Sequence, residues 1–384
     1  MTDAADIVIA GGGPVGLALA RALEQAGVGA TVVSAGIPGA DRPIALSHAS
    51  CLLLERIGAW QRIEGTPIRT IHVSQRGGFG STLIDHADHD LPALGHVVSY
   101  SRVVPALLGT IAAPTLPGTV TGWEQDGGRL RVSVATDGPS GSGTHTLQPK
   151  LLVLAEGTVP GMETTAALVT QRDYGQSALV ARVKADGAIP GRAWERFAED
   201  GPVALLPYGD LHALVWSVRP DEAQSLLSLP DPDFLRRLGK AFGRRAGTFR
   251  AVADRGVFPL ELRVRDPAPA PRVLAVGNAA QTLHPVAGQG LNLGLRDAWE
   301  LAELAGSQAP ERIGDAEFVR AYLTRRKVDR EGTVRATDLF VRLFGAADPV
   351  ARFLRGSGLF ALDMLPPARG FLARRMMFGA RALP

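Results

Sequence analysis

The chain has 384 residues, of which 46% are hydrophobic and 21% charged, a balance that excludes a disordered protein and favours two or three packed units. Its 41 basic residues exceed its 38 acidic ones by 41 − 38 = 3, which gives no indication of nucleic acid as a partner. The single cysteine, Cys51, excludes an internal disulfide and a cysteine-rich metal site, so a reducing cytosol is expected.

The first six residues carry acid where a secretory signal needs basic residues, and an apolar strand pattern follows at once. The early charge-free run, residues 7–20, is glycine-rich and too short to span a bilayer. We therefore expect a cytoplasmic protein that contacts a membrane at most peripherally, on the inner face of the cell membrane.

The first predicted elements form a strand, a glycine turn, a helix and a second strand over residues 6–34. The turn reads Gly-Gly-Gly-Pro-Val-Gly at 11–16 and fits the G-x-G-x-x-G pattern. Gly11 permits a tight turn, Gly13 lets the backbone approach a pyrophosphate, and Gly16 lets helix and strand pack closely. Because the N–H groups at a helix N-terminus attract anions, the turn predicts dinucleotide binding.

Further along the chain, apolar periodicity and turn residues predict alternating helices and strands, with a loop at 137–143. The predicted helices are 47–57, 101–112 and 234–242. Single strands are predicted at 71–74, 178–183, 203–206, 213–218 and 272–276. A meander of strands is predicted over 120–155, and its last strand, 151–155, should be buried.

A second glycine-rich segment spans residues 277–292 and joins the strand at 272–276 to a helix that should begin near Asn292. Gly288 and Gly290 would bring main chain against a flat aromatic ring, and the helix N-terminus would favour negative charge on that ring. A reduced flavin carries such charge. The alternative is a loop that only caps a buried helix.

The run from His284 to Asp297, with Gly277-Asn278 before it, resembles the second flavin fingerprint of the single-component aromatic-ring flavoprotein hydroxylases. It is most similar to the ubiquinone-biosynthesis branch, the 2-octaprenyl-6-methoxyphenol hydroxylase type. Segments at 42–46, 71–74, 174–178 and 201–207 extend the resemblance over nearly the whole chain.

The resemblance implies an α/β fold of p-hydroxybenzoate-hydroxylase-like architecture, with a Rossmann-like FAD-binding domain, a β-rich substrate domain and a helical C-terminal tail. It implies FAD as cofactor, NADH or NADPH as transient electron donor, and O2. Oxygen would pass through a flavin hydroperoxide to the ring of a polyprenylated phenol on the way to ubiquinone, and other ubiquinone-biosynthesis proteins are expected partners.

The domain boundaries follow the predicted elements. The FAD-binding domain would be discontinuous over 1–68, 99–165 and 268–333; the substrate domain would take 69–98 and 166–267; the helical tail would take 334–384.

Carried over by position, the resemblance assigns a set of cofactor-binding residues. They are Gly11, Gly13, Pro14, Gly16, Ser34, Arg42, Arg102, Glu156, Asn278, Pro285, Gly288, Gln289, Gly290, Leu291 and Asn292. Three of them depart from the family pattern. Ser34 stands where an acid accepts the adenosine ribose hydroxyls, Glu156 where relatives carry Asp, and Asn278 where most carry Asp, although the most similar branch also has Asn.

Candidate chemistry outside the cofactor is sparse. Leu205, Leu206 and Pro207 are candidates to face the substrate, and His284 is a candidate to polarise the phenol, with a structural hydrogen bond as its alternative. The eight histidines show no zinc-ligand spacing, so no metal is predicted. This fits a reaction in which the cofactor performs the difficult step and the protein supplies orientation.

The C-terminal residues 335–384 combine basic charge with bulky apolar side chains. Eight arginines against three aspartates give 8 − 3 = +5. This composition suits an anionic membrane surface. The alternative is a tail that packs on the flavin domain, especially before Pro366; for 371–384 the sequence favours a membrane or partner surface.

Two further hypotheses are a hydroxylase of a soluble aromatic or natural product, and a non-catalytic flavin-fold scaffold in a lipid-biosynthetic complex. The first predicts turnover of water-soluble phenols without membrane affinity. The second is suggested by the altered acids at positions 34, 156 and 278.

Overall fold

The computed structural model describes residues 5–36, 41–138, 141–156, 168–198, 201–285, 288–345 and 349–380. The helices are α1 Pro14–Gln25, α2 His48–Arg56, α3 Tyr100–Leu108, α4 Pro220–Ser228, α5 Asp231–Phe242, α6 Gln289–Gly306, α7 Ala316–Gly345, α8 Pro349–Met364 and α9 Pro366–Phe378. The strands are β1 Ile7–Ala10, β2 Ala30–Ser34, β3 Pro43–Ser47, β4 Gly65–Ile68, β5 Thr70–Gln75, β6 Ser81–Asp85, β7 Gly95–Ser99, β8 Thr115–Pro117, β9 Thr119–Asp126, β10 Arg129–Gly138, β11 Gly141–Leu147, β12 Leu151–Leu154, β13 Leu168–Ala185, β14 Arg192–Ala198, β15 Gly201–Tyr208, β16 Leu211–Val218, β17 Phe249–Arg265, β18 Val273–Ala275 and β19 Gln281–Thr282.

A five-stranded parallel sheet, in the order β18-β12-β1-β2-β8, forms the first layer. Its central strands are apolar on both faces because both faces are covered. Ile7 and Ile9 pack toward the helices, whereas Val8 and Ala10 pack toward the antiparallel sheet β11-β10-β9. The alternation along β10 places Val132 in that second contact. The carboxyl ends of the parallel strands therefore share one edge, where ligands bind in such sheets.

An eight-stranded sheet, in the order β19-β17-β13-β16-β15-β14-β5-β6, forms the second layer. One face packs on α4 and α5, where Trp216, Phe234 and Phe242 are fully buried. The other face packs on the small sheet β3-β7-β4 through Leu206 and Ala45. This second face is therefore turned toward the layer that holds the glycine turns.

The C-terminal helices pack around these layers. In α9, Ala373 and Met377 are buried against Ile84 of β6 and Leu94, and the ring of Phe378 meets His48 edge-on at 5.8 Å. The expectation that 371–384 forms an open surface is thus wrong for this side of α9, while residues 381–384 lie outside the described part.

The exposed apolar surface lies earlier, mainly on α8. Large apolar side chains that remain exposed between the middle of α7 and the start of α9 are Val328, Leu339, Val350, Phe353, Leu354, Phe360, Met364, Leu365 and Phe371. No helix in the described ranges is both long and apolar enough to cross a bilayer.

The predicted α/β architecture is confirmed, with local corrections. The helix at 101–112 ends at Leu108, because Gly109 follows it as the C-cap. The loop predicted at 137–143 is narrower, since β10 continues to Gly138 and β11 begins at Gly141. The helix expected near Asn292 begins at Gln289. Cys51 is buried, and burial raises the pKa of its thiol to about 12.

Candidate active site

The first glycine turn joins β1 to α1 in the geometry that its sequence predicts. Gly11 adopts a positive φ of 127°, and a Cβ there would lie 2.8 Å from the backbone N of Glu156. A Cβ on Gly16 would collide with the carbonyl oxygen of Gly11. Gly13 differs, because no described atom lies within 4 Å of the Cβ that it lacks. Its open side leaves room for a ligand.

The N-terminus of α1 is free to hold an anion. Pro14 occupies the first turn, and among the described residues no side chain caps the helix or places an acid in that turn. The first N–H groups of a helix have no intrahelical partners, and the helix dipole favours negative charge beside them. The turn at 11–16 can therefore bind a diphosphate through its main chain.

Ser34 and Glu156 flank this turn from the two strands beside β1. Ser34 ends β2, and its Oγ accepts a hydrogen bond from Gly36 N at 3.2 Å. A Cβ on Gly12 would be 2.7 Å from the Ser34 Cβ, so the two residues are in close contact. Glu156 follows β12 and is partly buried, and that burial raises the pKa of its carboxyl.

Arg42 and Arg102 approach from a neighbouring segment. Antiparallel pairing of β3 with β7 sets Pro43 opposite Ser99, so Arg42 lies beside the start of α3. Its guanidinium stands 4.5 Å from the centre of the Tyr100 ring. Arg102, in the first turn of α3, is largely exposed, with a nitrogen 3.7 Å from a Glu64 oxygen. Both guanidinium groups remain accessible for a bidentate grip on a phosphate.

The second glycine segment meets the first at Val15. Gly277, which follows β18 with a φ of 58°, would carry a Cβ 3.1 Å from Val15 Cγ2. Gly294, in α6, would carry one 2.7 Å from the same atom. The helix after the first turn therefore packs against Gly277 of the second segment and Gly294 of α6. Asn278 is exposed at this edge of the sheet.

Asp297 fixes the turn that follows β18 through hydrogen bonds, a role that the sequence did not reveal. Its Oδ2 accepts hydrogen bonds from Gly277 N at 3.1 Å and Gln281 Nε2 at 2.8 Å. Its Oδ1 accepts from Arg326 Nε of α7 at 2.7 Å. Arg326 also reaches Asp329, which pairs with Arg296 at 2.8 Å. The sequence signal for this role was weak, because α6 carries two further acids, Glu300 and Glu303, besides the pair Arg296-Asp297.

The loop before α6 is fixed by Asn292. Its Oδ1 accepts hydrogen bonds from Ser47 N at 2.8 Å and Ser50 Oγ at 2.7 Å, and its Nδ2 donates to Ala45 O and Gly288 O. The side chain thus ties the loop to β3 and α2. Residues 286 and 287 of this loop lie outside the described ranges.

The glycines of the loop again separate into packed and open positions. Gly288 caps α6 with a φ of 61°, and a Cβ there would lie 3.3 Å from Ala45 Cβ. At Gly290 no described atom lies within 4 Å of such a Cβ. Leu291 is half-buried, and Gln289 donates to Met376 O of α9 at 3.3 Å. A flat ring can approach the open glycine.

His284, which precedes Pro285 and this loop, is almost fully buried, with 1% of its surface exposed. Its ring meets Tyr174 edge-on, with centroids 5.5 Å apart, and Tyr174 donates to Asp338 of α7 at 3.0 Å. Burial lowers the pKa of His284 to about 4, so the imidazole is neutral at neutral pH. This setting favours the structural alternative for His284.

Leu205 and Leu206 point to opposite faces of β15, as strand geometry requires. Leu205 is fully buried in the core between the sheet and α4 and α5, which is away from the glycine turns. Its selection as a substrate contact is therefore wrong. Pro207 is also buried and shares that parity. Leu206 lies on the face that packs against Ala45.

The geometry can be compared with known proteins. A family profile described as "FAD binding domain" matches residues 4–330. The ubiquinone hydroxylase UbiL of Rhodospirillum rubrum is 33% identical, over 97% of this chain and 89% of its own. The 3-demethoxyubiquinol 3-hydroxylase of Escherichia coli is 29% identical, over 93% and 94%. The crystal structure of p-nitrophenol 4-monooxygenase PnpA from Pseudomonas putida has the same fold, with a TM-score of 0.77 at 19% identity and coverage of 99% and 100%.

Proposed function

Because this chain belongs to the FAD-binding-domain family of flavoprotein monooxygenases, we propose that it hydroxylates the aromatic ring of a polyprenylated phenol in ubiquinone biosynthesis. One atom of O2 enters the ring and the other leaves as water, and NADH or NADPH supplies the two electrons. The observation that carries the proposal is the contact of the two glycine segments at Val15, which allows both to reach one FAD.

The residues present fit an FAD molecule. The open side of Gly13 and the free N-terminus of α1 would take the diphosphate, with Arg42 and Arg102 as its side-chain partners. Asn278 would meet the ribityl chain. The main chain around Gly290 would line the isoalloxazine, together with its neighbours Pro285, Gly288, Gln289, Leu291 and Asn292. When bound, FAD accepts a hydride from the nicotinamide and activates O2 for transfer of one oxygen atom.

The protein's own task is to orient the phenol and exclude water. Apolar side chains of the eight-stranded sheet, such as Leu206, would keep the reacting ring dry on the face opposite α4 and α5. Ser34 would donate to or accept from one ribose hydroxyl, which is a weaker grip than an acid provides. Glu156, with its raised pKa, would retain a carboxyl beside the Gly11 turn.

The names of the relatives support the substrate class, since UbiL is called a ubiquinone hydroxylase and the Escherichia coli protein a 3-demethoxyubiquinol 3-hydroxylase. The exposed apolar face of α8 supports it as well. Ubiquinone precursors carry prenyl tails, which reside in lipid. An enzyme that takes such a substrate gains from an apolar surface beside its substrate face.

We propose that α8 contacts an anionic membrane surface. Phe353, Leu354 and Phe360 are more than half exposed, and residues 335–384 carry eight arginines against three aspartates. Apolar side chains with neighbouring cations bind anionic interfaces. Substitution of Phe353 and Phe360 by Ser should reduce sedimentation with phosphatidylglycerol vesicles, whereas Val169→Ser, an exposed change on β13, should not. Unchanged sedimentation of the double variant would refute the contact.

The proposed function is tested by quinone-intermediate mass spectrometry in a strain that lacks this gene. Accumulation of a prenylated phenol short of one oxygen, restored by the wild-type gene, is the expected result. Purified enzyme with 18O2 should place one labelled atom in the product. Turnover only of water-soluble phenols would indicate the soluble-aromatic alternative, and failure to bind FAD would indicate a scaffold.

A further inference from the structure

On the face turned away from α4 and α5, a row of half-buried residues crosses the eight-stranded sheet, and we call the space above this row the groove. Cross-strand partners share a face, and one such row runs through Val73, Glu195, Ala204, Val215 and Val180. Every member of this row is half-buried. A continuous row of half-buried residues in the middle of a covered sheet indicates an opening above it.

The rows on both sides of the groove are closed by other elements. On one side, Ala193 is buried against Ala45 of β3, the residue that Gly288 of the second glycine loop also contacts. On the other side, Gln75 donates to Arg352 O of α8 at 3.1 Å. The groove therefore lies between the loop assigned to the flavin and the helix with the exposed apolar face.

Glu195 is the one carboxyl in this row. It stands two residues from Ala193 on the same face, about 7 Å along the strand. Trp194 and Arg196, with the opposite parity, point to the other face, where Trp194 packs on Phe242 and Arg196 donates to Ser74. The orientation of Glu195 toward the groove follows from this alternation.

Among the residues that the structure describes, the positions next to Glu195 on its face supply no charge. The adjacent positions on its face are uncharged: Ile71, Val73, Gln75, Ala193, Phe197, Pro202, Ala204 and Leu206. Burial alone raises the pKa of the Glu195 carboxyl to about 7. Protein atoms surround the Glu195 carboxyl, although the residue is still partly exposed to solvent, as expected in a narrow groove.

The described charged groups on the elements that pack around this face are engaged by other residues. Arg182, in the row of Ala193, pairs with Asp254 and is 3.8 Å from Asp41. On α7, Asp338 pairs with Arg172, and Arg342 pairs with Asp338. On α8, Arg352 donates to Gly77 O and Arg355 is buried.

We propose that Glu195 is a catalytic base that hydrogen-bonds the phenol hydroxyl of the substrate and accepts its proton. The inference rests on the proposed function. The phenol O–H bond breaks, a new O–H bond forms on the carboxylate, and the electron pair stays on the phenol oxygen, where it makes the ring more nucleophilic. The proton returns to solvent after the product leaves. A base with a pKa near the working pH is suited to this task.

Binding measurements test the proposal without turnover. The probes are a phenol with one five-carbon prenyl group and its methyl ether, which has no hydroxyl to donate, bound to the FAD-loaded protein and followed by flavin absorbance. Because a carboxylate accepts a stronger hydrogen bond than a carboxylic acid, phenol affinity should rise about fivefold to tenfold between about pH 6 and about pH 8. The ether should bind independently of pH.

The variants decide whether Glu195 is responsible. Glu195→Gln should abolish the pH dependence of phenol binding and lower kcat by about a hundredfold. Reduction of the bound FAD by NAD(P)H should persist in this variant. Glu195→Asp should keep the pH dependence and part of the rate. Glu124→Gln, an exposed carboxyl on β9, is the matched control and should behave as wild type.

Suppose that the wild type hydroxylates phenols and that Glu195→Gln binds phenol with the same pH dependence as the wild type. This result would overturn the role of Glu195 and leave the proposed function intact. A wild-type protein that binds FAD but neither probe would overturn both, and this is visible before any variant is made. A retained phenol preference over the ether in Glu195→Leu, whose side chain has no acceptor, would likewise overturn the assignment of the hydrogen bond.

Discussion

Val15 fills the space that a side chain on Gly294 would need. A Cβ at position 294 would lie 2.7 Å from Val15 Cγ2 and 3.0 Å from the Cα of Gly277. Val15 belongs to the first glycine segment, Gly277 to the second and Gly294 to α6, so this contact joins residues that are far apart in sequence. This contact sets the distance between the two turns and hence the span available to a dinucleotide.

Gly294→Ala should separate the two turns. The added methyl has no room, since interiors are close-packed, and we expect destabilisation by about 1–3 kcal/mol together with weaker FAD binding. Val15→Ala, which removes the opposing methyl groups, should recover part of both losses in the double variant. Urea unfolding and FAD titration measure this; strictly additive effects would show that the contact does not couple the turns.

Gly13→Ala and Gly16→Ala should have different consequences. Position 13 is open and has an ordinary φ of −75°, so the Gly13→Ala variant should unfold like wild type without FAD but bind FAD at least about tenfold more weakly. The methyl at position 16 would collide with the Gly11 carbonyl and should destabilise the protein itself. Equal unfolding free energies for the two variants would contradict this account.

Asp297→Asn should be among the most damaging polar substitutions. The residue is buried, accepts from Gly277 and Gln281, and pairs with Arg326, which would be left with a weaker partner. We expect a loss of about 3–5 kcal/mol in unfolding free energy. Asp126→Asn, which breaks an exposed pair with Arg131, is the control and should cost less than about 1 kcal/mol. A similar small loss for both would refute a structural role for Asp297.

Acid should destabilise the protein partly through His284. The folded-state pKa of His284 is about 4, below its ordinary value of 6.5, so its contribution is fully present above 6.5 and is lost as pH falls through 4. In His284→Asn, the slope of unfolding free energy against pH between these values should decrease by up to about 1.4 kcal/mol per pH unit. An identical slope in wild type and variant would contradict the buried, neutral imidazole.

Local chemistry made much of the fold predictable. The glycine turn at 11–16 could be predicted because only glycine tolerates the positive φ of Gly11 and the contact at Gly16. The start of α2 was readable because Ser47 caps it, with Oγ accepting from Ser50 N. Buried parallel strands such as β12 were evident from their continuous apolar runs.

Long-range geometry was not predictable in the same way. The long strand β17 alternates irregularly and is half exposed, so no clean period marks it. Selection of Leu205 failed because an apolar run does not tell which face of a strand meets the site. The proposed role of Glu195 could not be predicted from the sequence, since only the order of the strands shows that this acid lies at the groove. The buried pairs of Arg296 and Arg326 likewise depend on packing of α6 against α7.

Fragment binding tests the central claim most directly, namely that the turns at 11–16 and 285–292 hold opposite ends of one FAD. Gly13→Asp and Gly290→Asp place negative charge in open positions at helix N-termini, where Asp is compatible with folding. Calorimetric titration should show that both variants lose FAD, that Gly13→Asp loses ADP but keeps riboflavin, and that Gly290→Asp loses riboflavin but keeps ADP. Retention of FAD by both variants, or loss of the same fragment by both, would contradict the account.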